Sequence, residues 1–308
     1  MSYSNQFIDG YTIDIPSLKG EEINYLEQNG ISIKDYYLDY INFSTLQNPI
    51  RKLPYYSAAN IDGNLFKSIT RKELFNGKGD RWKKDKRIPG EAQLGSELYS
   101  AAKSDFDRGH LTKREDAQWG DSTGYAKSGA ESTFFFTNAA PQVDRLNRGV
   151  WRRIEDYILH HEVIKNKSKI TLFTGPVFQE NDPNFVTKVR NKTIQLPVYF
   201  WKVIYYLNGD DLFYTAFLTS QKTLLEKRRI VKPIFRSDEE QDRSFMMFKD
   251  AETYQVPVSL IEKLSKLKFS SAHENYKKET PEKLVLSGVE VRSDEAMIPG
   301  EAQMNLIL

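Results

Sequence analysis

The chain has 308 residues and no cysteine, which excludes a disulfide framework and a cysteine-based zinc site. Its apolar fraction of 39% and charged fraction of 28% are ordinary for a globular protein that buries a sizeable core. The formal net charge of +2 argues against a polycation that would coat nucleic acid with its whole surface.

The N-terminal residues lack the basic and apolar regions of a secretory signal, and no apolar run approaches the ~20 residues needed to span a bilayer. We therefore expect a cytoplasmic protein that does not contact a membrane. The first predicted element is a short helix from Gly20 to Asn29, with Gly30 as its stop signal.

Aromatic and β-branched residues become frequent from Tyr37 and predict strands in YLDYINFSTL and LPYYSAANI. Residues 62–95 are polar, glycine-rich and basic, and are predicted to form a long surface loop. Within this loop, the run from Lys67 to Arg87 holds nine lysines or arginines against three carboxylates. Such a run is either a solvated face or a contact for the phosphate backbone of a nucleic acid.

The second half of the chain alternates predicted strands and helices. A buried strand is expected in STFFFTN, followed by a turn in AAPQ and a helix in LNRGVWRRIEDYILHH. Further strands are predicted in KITLFTGPVF, TIQLPVYFWKVIYYL and DLFYTAFLT, and a late helix in VSLIEKLSKL. This order favours an α+β fold with a mainly antiparallel central sheet flanked by helices.

The tail from Ser270 is polar, and its IPGEAQ at 298–303 repeats the IPGEAQ at 88–93. The period is too long for a structural repeat, and we interpret the two copies as similar turns.

Residues 107–110 read Asp-Arg-Gly-His and contain one of only four histidines in the chain. Imidazole suits proton transfer near neutral pH, and on a strand Arg108 would project from the same face as His110. Gly109 between them would allow a ligand to approach the main chain closely. A base and a positive charge are two of the requirements for hydrolysis of a phosphodiester, and a metal ion is the usual third.

A metal in this chain would have to be hard and bound by oxygen, which favours Mg²⁺. Asn147 and Glu155 lie eight positions apart on the predicted helix, and a spacing of a little over two turns leaves them on broadly the same side. Asn147 is equally interpreted as a helix N-cap, where asparagine is a favoured residue.

Three stretches, FDRGHLTKREDAQWG, FFFTNAAPQ and LNRGVWRRIEDYI, resemble in order and spacing the DNA/RNA non-specific endonuclease family, the endonuclease G-like nucleases with a ββα-metal active site. The resemblance extends from Tyr37 to Phe269. It implies a nuclease domain at 37–269, an N-terminal extension at 1–36 and a C-terminal tail at 270–308.

The resemblance also implies roles for single residues. His110 matches the general base and Arg108 an arginine near the substrate phosphate. Asn147 matches the ligand of a single Mg²⁺, for which Mn²⁺ can substitute, and Glu155 the glutamate that holds a water of that ion on the helix. Asn138 matches an asparagine that is expected to support the active site and to contact the substrate.

A further phosphate-stabilising arginine is expected in the basic loop. Arg81 is the better match to the family and Arg71 its competitor. Some relatives carry another arginine shortly after the helical glutamate, whereas this chain has Tyr157, Ile158 and Leu159 there. Stabilisation of the negative charge in the transition state would therefore depend on Arg81, Arg108 or Arg153.

The function implied is a Mg²⁺-dependent endonuclease that hydrolyses DNA and RNA with little sequence preference. The rival hypothesis is a catalytically silent nucleic-acid-binding module on the same fold. A defence or toxin effector would share the chemistry but would require control by a terminal extension or by an inhibitory or activating protein. Homodimers are common in the family, but no interface is visible in the sequence.

Overall fold

The computed structural model describes residues 1–232, 248, 252–278, 280–287, 303–304 and 306. In chain order the strands are β1 (Ser17–Leu18), β2 (Tyr37–Asp39), β3 (Phe43–Asn48), β4 (Leu53–Asp62), β5 (Asp107–His110), β6 (Ala139–Gln142), β7 (Lys169–Val177), β8 (Tyr199–Asn208), β9 (Asp211–Ser220), β10 (Thr253–Val256), β11 (Leu267–Lys268), β12 (His273–Glu274), β13 (Glu282–Lys283), β14 (Leu286–Ser287) and β15 (Gln303–Met304).

The α-helices of the described residues are α1 (Gly20–Gln28), α2 (Arg71–Phe75), α3 (Ser96–Tyr99), α4 (Thr123–Ser132), α5 (Asp144–Asn147), α6 (Val150–Asp156), α7 (Lys222–Lys227) and α8 (Val258–Ser265). Short 3₁₀-helices cover Ile33–Tyr36, Gly90–Ala92, Glu115–Ala117 and Phe136–Asn138, and a π-helix covers Tyr157–Ile164.

One large sheet forms the centre of the molecule, with the strand order β13-β10-β9-β8-β7-β4-β3-β2. Each of these neighbouring pairs is antiparallel, and among the described strands only β12 joins the sheet in a parallel pairing, to β9. The long strands β4, β7, β8 and β9 contribute more than a third of the buried side chains of the main apolar cluster. The predicted α+β class with a mainly antiparallel sheet is therefore confirmed.

The described parts of both terminal segments contact the central sheet and its core. Ile8, Ile13 and Leu18 of the N-terminal segment are buried in the main hydrophobic cluster, and β12 and β13 of the C-terminal segment pair with sheet strands. The boundaries at residues 36 and 269 stay a prediction. The second IPGEAQ copy lies almost wholly outside the described residues, whereas the first contains the 3₁₀-helix Gly90–Ala92.

The strand predicted in STFFFTN and the turn predicted in AAPQ are both wrong. Residues 136–138 form a 3₁₀-helix, and the strand begins afterwards, as β6. The reason is tertiary, because Phe134 and Phe136 are both buried although they lie outside any sheet. A short apolar run cannot by itself distinguish a buried strand from a buried irregular segment.

The single helix predicted over residues 146–161 is broken in two. Gly149 caps the start of α6, and a Cβ atom there would lie 2.1 Å from the carbonyl oxygen of Arg145. The chain therefore makes a tight break that only glycine fits, and from Tyr157 the α-helix passes into the π-helix.

The predicted loop at 62–95 also contains a helix, α2. Thr70 and Glu73 form a reciprocal capping box at its start, while Leu74 and Phe75 are buried. Among the described residues no helix is both long and apolar enough to cross a membrane.

Gly175 provides a test of the packing between the central strands. An added Cβ would lie 2.3 Å from the carbonyl oxygen of Tyr55 and 2.7 Å from the ring of Trp201, and neither group can move without disturbing the sheet. We expect Gly175→Ala to lower the free energy of unfolding by about 1–3 kcal/mol, measured by chemical denaturation.

Gly124→Ala is the matched control, because the nearest atom to its added Cβ is Ser122 Oγ at 4.0 Å. Gly124 lies in α4, where alanine is the better helix former, so this variant is expected to be no less stable than the wild type. Equal stability of the two variants would contradict the packing described for β7.

Candidate active site

Two antiparallel strands and a pair of short helices form the candidate site. Strand β5 pairs with β6 so that Arg108 lies opposite Pro141 and His110 opposite Ala139. As expected for alternate residues of a strand, Arg108 and His110 both face one cleft. Gly109 faces the other way, and a Cβ there would lie 2.1 Å from Gln142 Oε1. The glycine thus makes room for a neighbouring side chain and not, as predicted, for a ligand.

The cleft has a volume of about 420 Å³ and an open mouth. Six of its side chains are cationic and four are carboxylates, so its lining is positive overall. The lining residues are Arg71, Asp80, Trp82, Asp107, Arg108, His110, Lys113, Arg114, Glu115, Asn147, Arg148, Arg152 and Glu155. A cleft with this excess of positive charge attracts anionic ligands.

His110 stands between two aromatic rings at the wall of the cleft. Its ring centroid lies 4.6 Å from that of Trp82 and 4.9 Å from that of Phe134. Its Nε2 atom is buried and has no hydrogen-bond partner among the described residues, which leaves Nδ1 as the nitrogen available to the cleft. Burial, together with the positive charge of Arg71 and of neighbouring cations, lowers the pKa of His110 to about 3. The imidazole is therefore neutral near pH 7, as a proton acceptor must be.

Asn147 lies at the end of α5 and not at a helix start, so the N-cap interpretation is wrong. The cap of α6 is Gly149, and the Asn147 side chain instead donates from Nδ2 to Asp107 Oδ2 at 3.0 Å. Arg148 donates to the same carboxylate at 2.8 and 2.6 Å. Because Asp107 binds the amide nitrogen, the amide oxygen of Asn147 is the atom left to ligate a cation.

Glu155 lies on α6 at the floor of the cleft, with its side chain 12% exposed. Its Oε1 atom is 2.8 Å from the ammonium group of Lys202, whose side chain is only 1% exposed. The sequence reasoning missed Lys202, although a signal existed, since it is the one charged residue of the strand YFWKVIYYLN.

Asn147 and Glu155 therefore offer an amide oxygen and a carboxylate to the same cleft. Oxygen donors of this kind suit Mg²⁺, which keeps most of its water ligands and needs few from the protein. The donor set fits the predicted ion.

Lys113, three residues after His110, connects its strand to the helix of Glu155. The Lys113 ammonium group contacts Asp156 and lies 2.5 Å from Glu115 Oε2. Burial alone would lower the pKa of Lys113, but the neighbouring carboxylates hold it above its usual value.

Glu115, Asp156 and His160 bring one ligand atom each within 4.8 Å of one another. Such a group resembles a cation site, but the Lys113 ammonium already lies against both of its carboxylates. We therefore interpret this cluster as an internal ion-pair network.

The structure distinguishes the two candidate loop arginines. Arg71, at the start of α2, lines the cleft and pairs with Asp80 at 3.5 Å, whereas Arg81 is exposed and does not line it. The preference for Arg81 rested on its match to the family. The short helix α2, which the sequence reasoning missed, places Arg71 at the cleft instead.

Asn138 is not placed to contact a substrate. It is 0% exposed, and its side chain binds the main chain of Thr112 in both directions and the carbonyl oxygen of Thr133. The predicted substrate contact is corrected to a structural role, since Asn138 fixes the chain two residues beyond His110.

A cationic cleft over two antiparallel strands and a helix, with a neutral histidine and oxygen donors, defines the ββα-metal class of site. The sequence profile described as DNA/RNA non-specific endonuclease matches residues 21–275. The chain therefore belongs to the DNA/RNA non-specific endonuclease family.

Two relatives and one solved structure illustrate the similarity. An uncharacterized protein, y4fB, of Sinorhizobium fredii is 36% identical over 194 residues, which are 60% of this chain and 27% of that protein. The nuclease of Serratia marcescens is 30% identical over 158 residues, covering 50% of this chain and 56% of the relative. The chain thus covers about a quarter of the first relative and little more than half of the second.

The solved structure is that of an EndoG/EndoGI complex, described as showing the mechanism of EndoG inhibition. It covers 82% of this chain and 93% of its own, with a TM-score of 0.51 and 16% sequence identity. At that identity the match shows the fold alone.

The environment of His110 predicts an unusual titration. Because its folded pKa lies below its unfolded value, His110 should stay neutral as the pH falls through 6.5 and take up a proton only in strongly acidic solution. As the pH falls from 6.5 to about 3, the free energy of unfolding should decrease, because the unfolded chain binds a proton at this histidine and the folded chain does not. Nitrogen NMR of labelled imidazole would measure this, and titration of His110 near pH 6.5 would contradict it.

Proposed function

We propose that this protein is a Mg²⁺-dependent endonuclease that hydrolyses phosphodiester bonds of DNA and RNA with little sequence preference. The observation that carries the proposal is the convergence of His110, Asn147 and Glu155 on one cationic cleft. Family membership supports the reaction type, and the donor set supports the ion.

His110 acts as the general base. In the tautomer that carries its proton on the buried Nε2, the Nδ1 lone pair accepts a proton from a water in the cleft, and the oxygen attacks phosphorus in line with the 3′ oxygen. The bond from phosphorus to the 3′ oxygen breaks, and this oxygen takes up a proton from solvent water, which leaves a 5′-phosphate and a 3′-hydroxyl. Trp82 and Phe134 hold the ring in place and exclude bulk water from its buried edge.

Asn147 and Glu155 would hold the ion. When bound, Mg²⁺ supplies positive charge for the leaving oxygen and for the phosphate. Asp107 orients the Asn147 amide so that its oxygen is presented to the cleft.

Arg71 and Arg108 are the arginines that we assign to the substrate phosphate. Both line the cleft, and Arg108 also stacks over Tyr99, 5.3 Å from the ring centroid. Such fixed charges stabilise the extra negative charge of the transition state. A site that contacts the backbone of a nucleic acid and not its base edges has little sequence preference.

The alternative is a nucleic-acid-binding module without catalysis. A purified wild-type chain should degrade plasmid DNA and RNA in Mg²⁺ and lose activity in EDTA, and His110→Ala should lower the rate at least about 100-fold. The matched control is His273→Ala, since His273 is exposed and outside the cleft. Binding of DNA without cleavage by the wild type would favour the silent module, and cleavage by His110→Ala at the wild-type rate would remove His110 as the base.

The two loop arginines give a second prediction. We expect Arg71→Ala to lower kcat about 100-fold, because it removes a fixed charge from the cleft. Arg81→Ala should raise the KM for DNA less than threefold, as expected for an exposed cation that contacts distant phosphates. A larger loss of kcat in Arg81→Ala than in Arg71→Ala would restore the interpretation that the sequence favoured.

We further propose that a separate protein restrains the enzyme. All the residues that line the cleft lie between Arg71 and Glu155, so the described parts of the two terminal segments do not cover it. The complex of EndoG with EndoGI, described as inhibitory, is a precedent on the same fold. The defence or toxin role and the homodimer stay predictions.

Truncation tests this restraint. A chain that ends at Ser287 keeps β12 and β13 on the sheet, and its kcat/KM should stay within about twofold of the full chain. A tenfold or greater increase would contradict the proposal, because it would make residues 288–308 the inhibitor.

A further inference from the structure

Lys202 is buried in the middle of the central sheet, where a charged side chain is unusual. Its side chain is 1% exposed, and burying an ammonium group is costly unless the group is paired and hydrogen-bonded. It lies 2.8 Å from Glu155 Oε1, donates to Thr174 Oγ1 at 3.1 Å, and stands 4.8 Å from the ring centroid of Trp151. These three contacts give the three N–H donors of the ammonium group a partner each.

A row of polar side chains continues across the sheet from this lysine. Lys202 on β8 lies directly opposite Thr174 on β7, and Thr174 lies directly opposite Ser57 on β4. Residues directly opposite in antiparallel strands share a face of the sheet. The Ser57 hydroxyl is hydrogen-bonded to that of Thr112, two residues beyond His110.

The polar row therefore contacts the site at both ends. Lys202 holds the carboxylate of Glu155 at one end, and Ser57 holds the chain that follows the catalytic strand at the other. Behind Glu155 lies a small cavity of about 10 Å³, which is lined by five isoleucine and leucine side chains and by the buried carboxyl group of Asp116. Without the lysine, one oxygen of the Glu155 carboxylate would face these apolar side chains and a second carboxyl group.

We propose that Lys202 is a positioning residue, which holds Oε1 of Glu155 from beneath the cleft and so directs Oε2 toward the metal and its water. This inference rests on the proposed function, which gives Glu155 its role at the metal. The position of the Glu155 carboxylate can be tested independently of that function. Residues that orient metal-binding groups in this way typically change metal affinity or activity 10- to 100-fold when they are removed.

Lys202→Met keeps the length of the side chain and removes its charge. We expect kcat to fall at least about 10-fold and the half-saturating Mg²⁺ concentration to rise about 10-fold, with the KM for DNA within threefold of the wild type. Arg51→Met is the matched control, since it also breaks a buried ion pair, to Asp182 at 2.5 Å, but outside the cleft. Its kcat should stay within twofold even where its melting temperature falls.

A double-mutant cycle separates positioning from general damage. Once Glu155→Gln has removed the carboxylate, adding Lys202→Met should lower kcat no more than about twofold further. If Lys202→Met does not fold, Thr174→Val replaces it, since this change removes only the hydroxyl that accepts from Lys202. A variant that melts at a lower temperature with kcat and Mg²⁺ dependence unchanged would overturn the proposal.

A crystal structure of metal-free Lys202→Met gives a readout that does not require activity. The Glu155 carboxylate should leave its wild-type position or become disordered, and an unmoved carboxylate would contradict the proposal. If the wild-type enzyme cleaves no nucleic acid, the proposed function fails while the crystal structure still tests the role of Lys202.

Discussion

The position of the site depends on two charged contacts that join the strand of His110 to the helices of Asn147 and Glu155. Asp107, at the start of β5, binds the side chains of Asn147 and Arg148. Lys113, beyond the end of the strand, contacts Asp156, the neighbour of Glu155 on α6. The proposed base and the proposed metal ligands come from segments about forty residues apart in sequence. Reacting groups must be held within a fraction of an ångström, so these contacts are central to the site.

The sheet beneath supplies the second constraint. Strands β4, β7 and β8 bury large apolar side chains, but their polar row of Ser57, Thr174 and Lys202 reaches toward the site. A row of buried polar groups destabilises a fold unless each group in it has a partner. Ser57 is hydrogen-bonded to Thr112 and Lys202 is paired with Glu155, so the packing of the core and the geometry of the site are coupled.

Much of the fold and of the site could be predicted from local sequence. Helices α1 and α8 and the long strands of the sheet follow from periodicity, and the strand at Asp107–His110 was expected from its motif. The spacing of Asn147 and Glu155 alone left two interpretations of Asn147 open, a metal ligand and a helix cap. Only the family resemblance implied that His110, Asn147 and Glu155 converge on one cleft.

The failures share a physical cause, which is that tertiary contacts override local signals. The strand expected at residues 132–138 failed because buried phenylalanines also occur in irregular structure. The helix break at Gly149 depends on one carbonyl oxygen of the preceding turn. Arg71 and Arg81 occupy the same basic run, and only the fold of α2 determines which of them lines the cleft.

The central claim is that a single cation binds at Asn147 and Glu155, beside His110. Crystals soaked in Mn²⁺ would locate that cation by anomalous scattering. The account predicts one strong peak next to the amide oxygen of Asn147, on the side of the cleft that Glu155 faces. A peak among Glu115, Asp156 and His160, with Lys113 displaced, would contradict it.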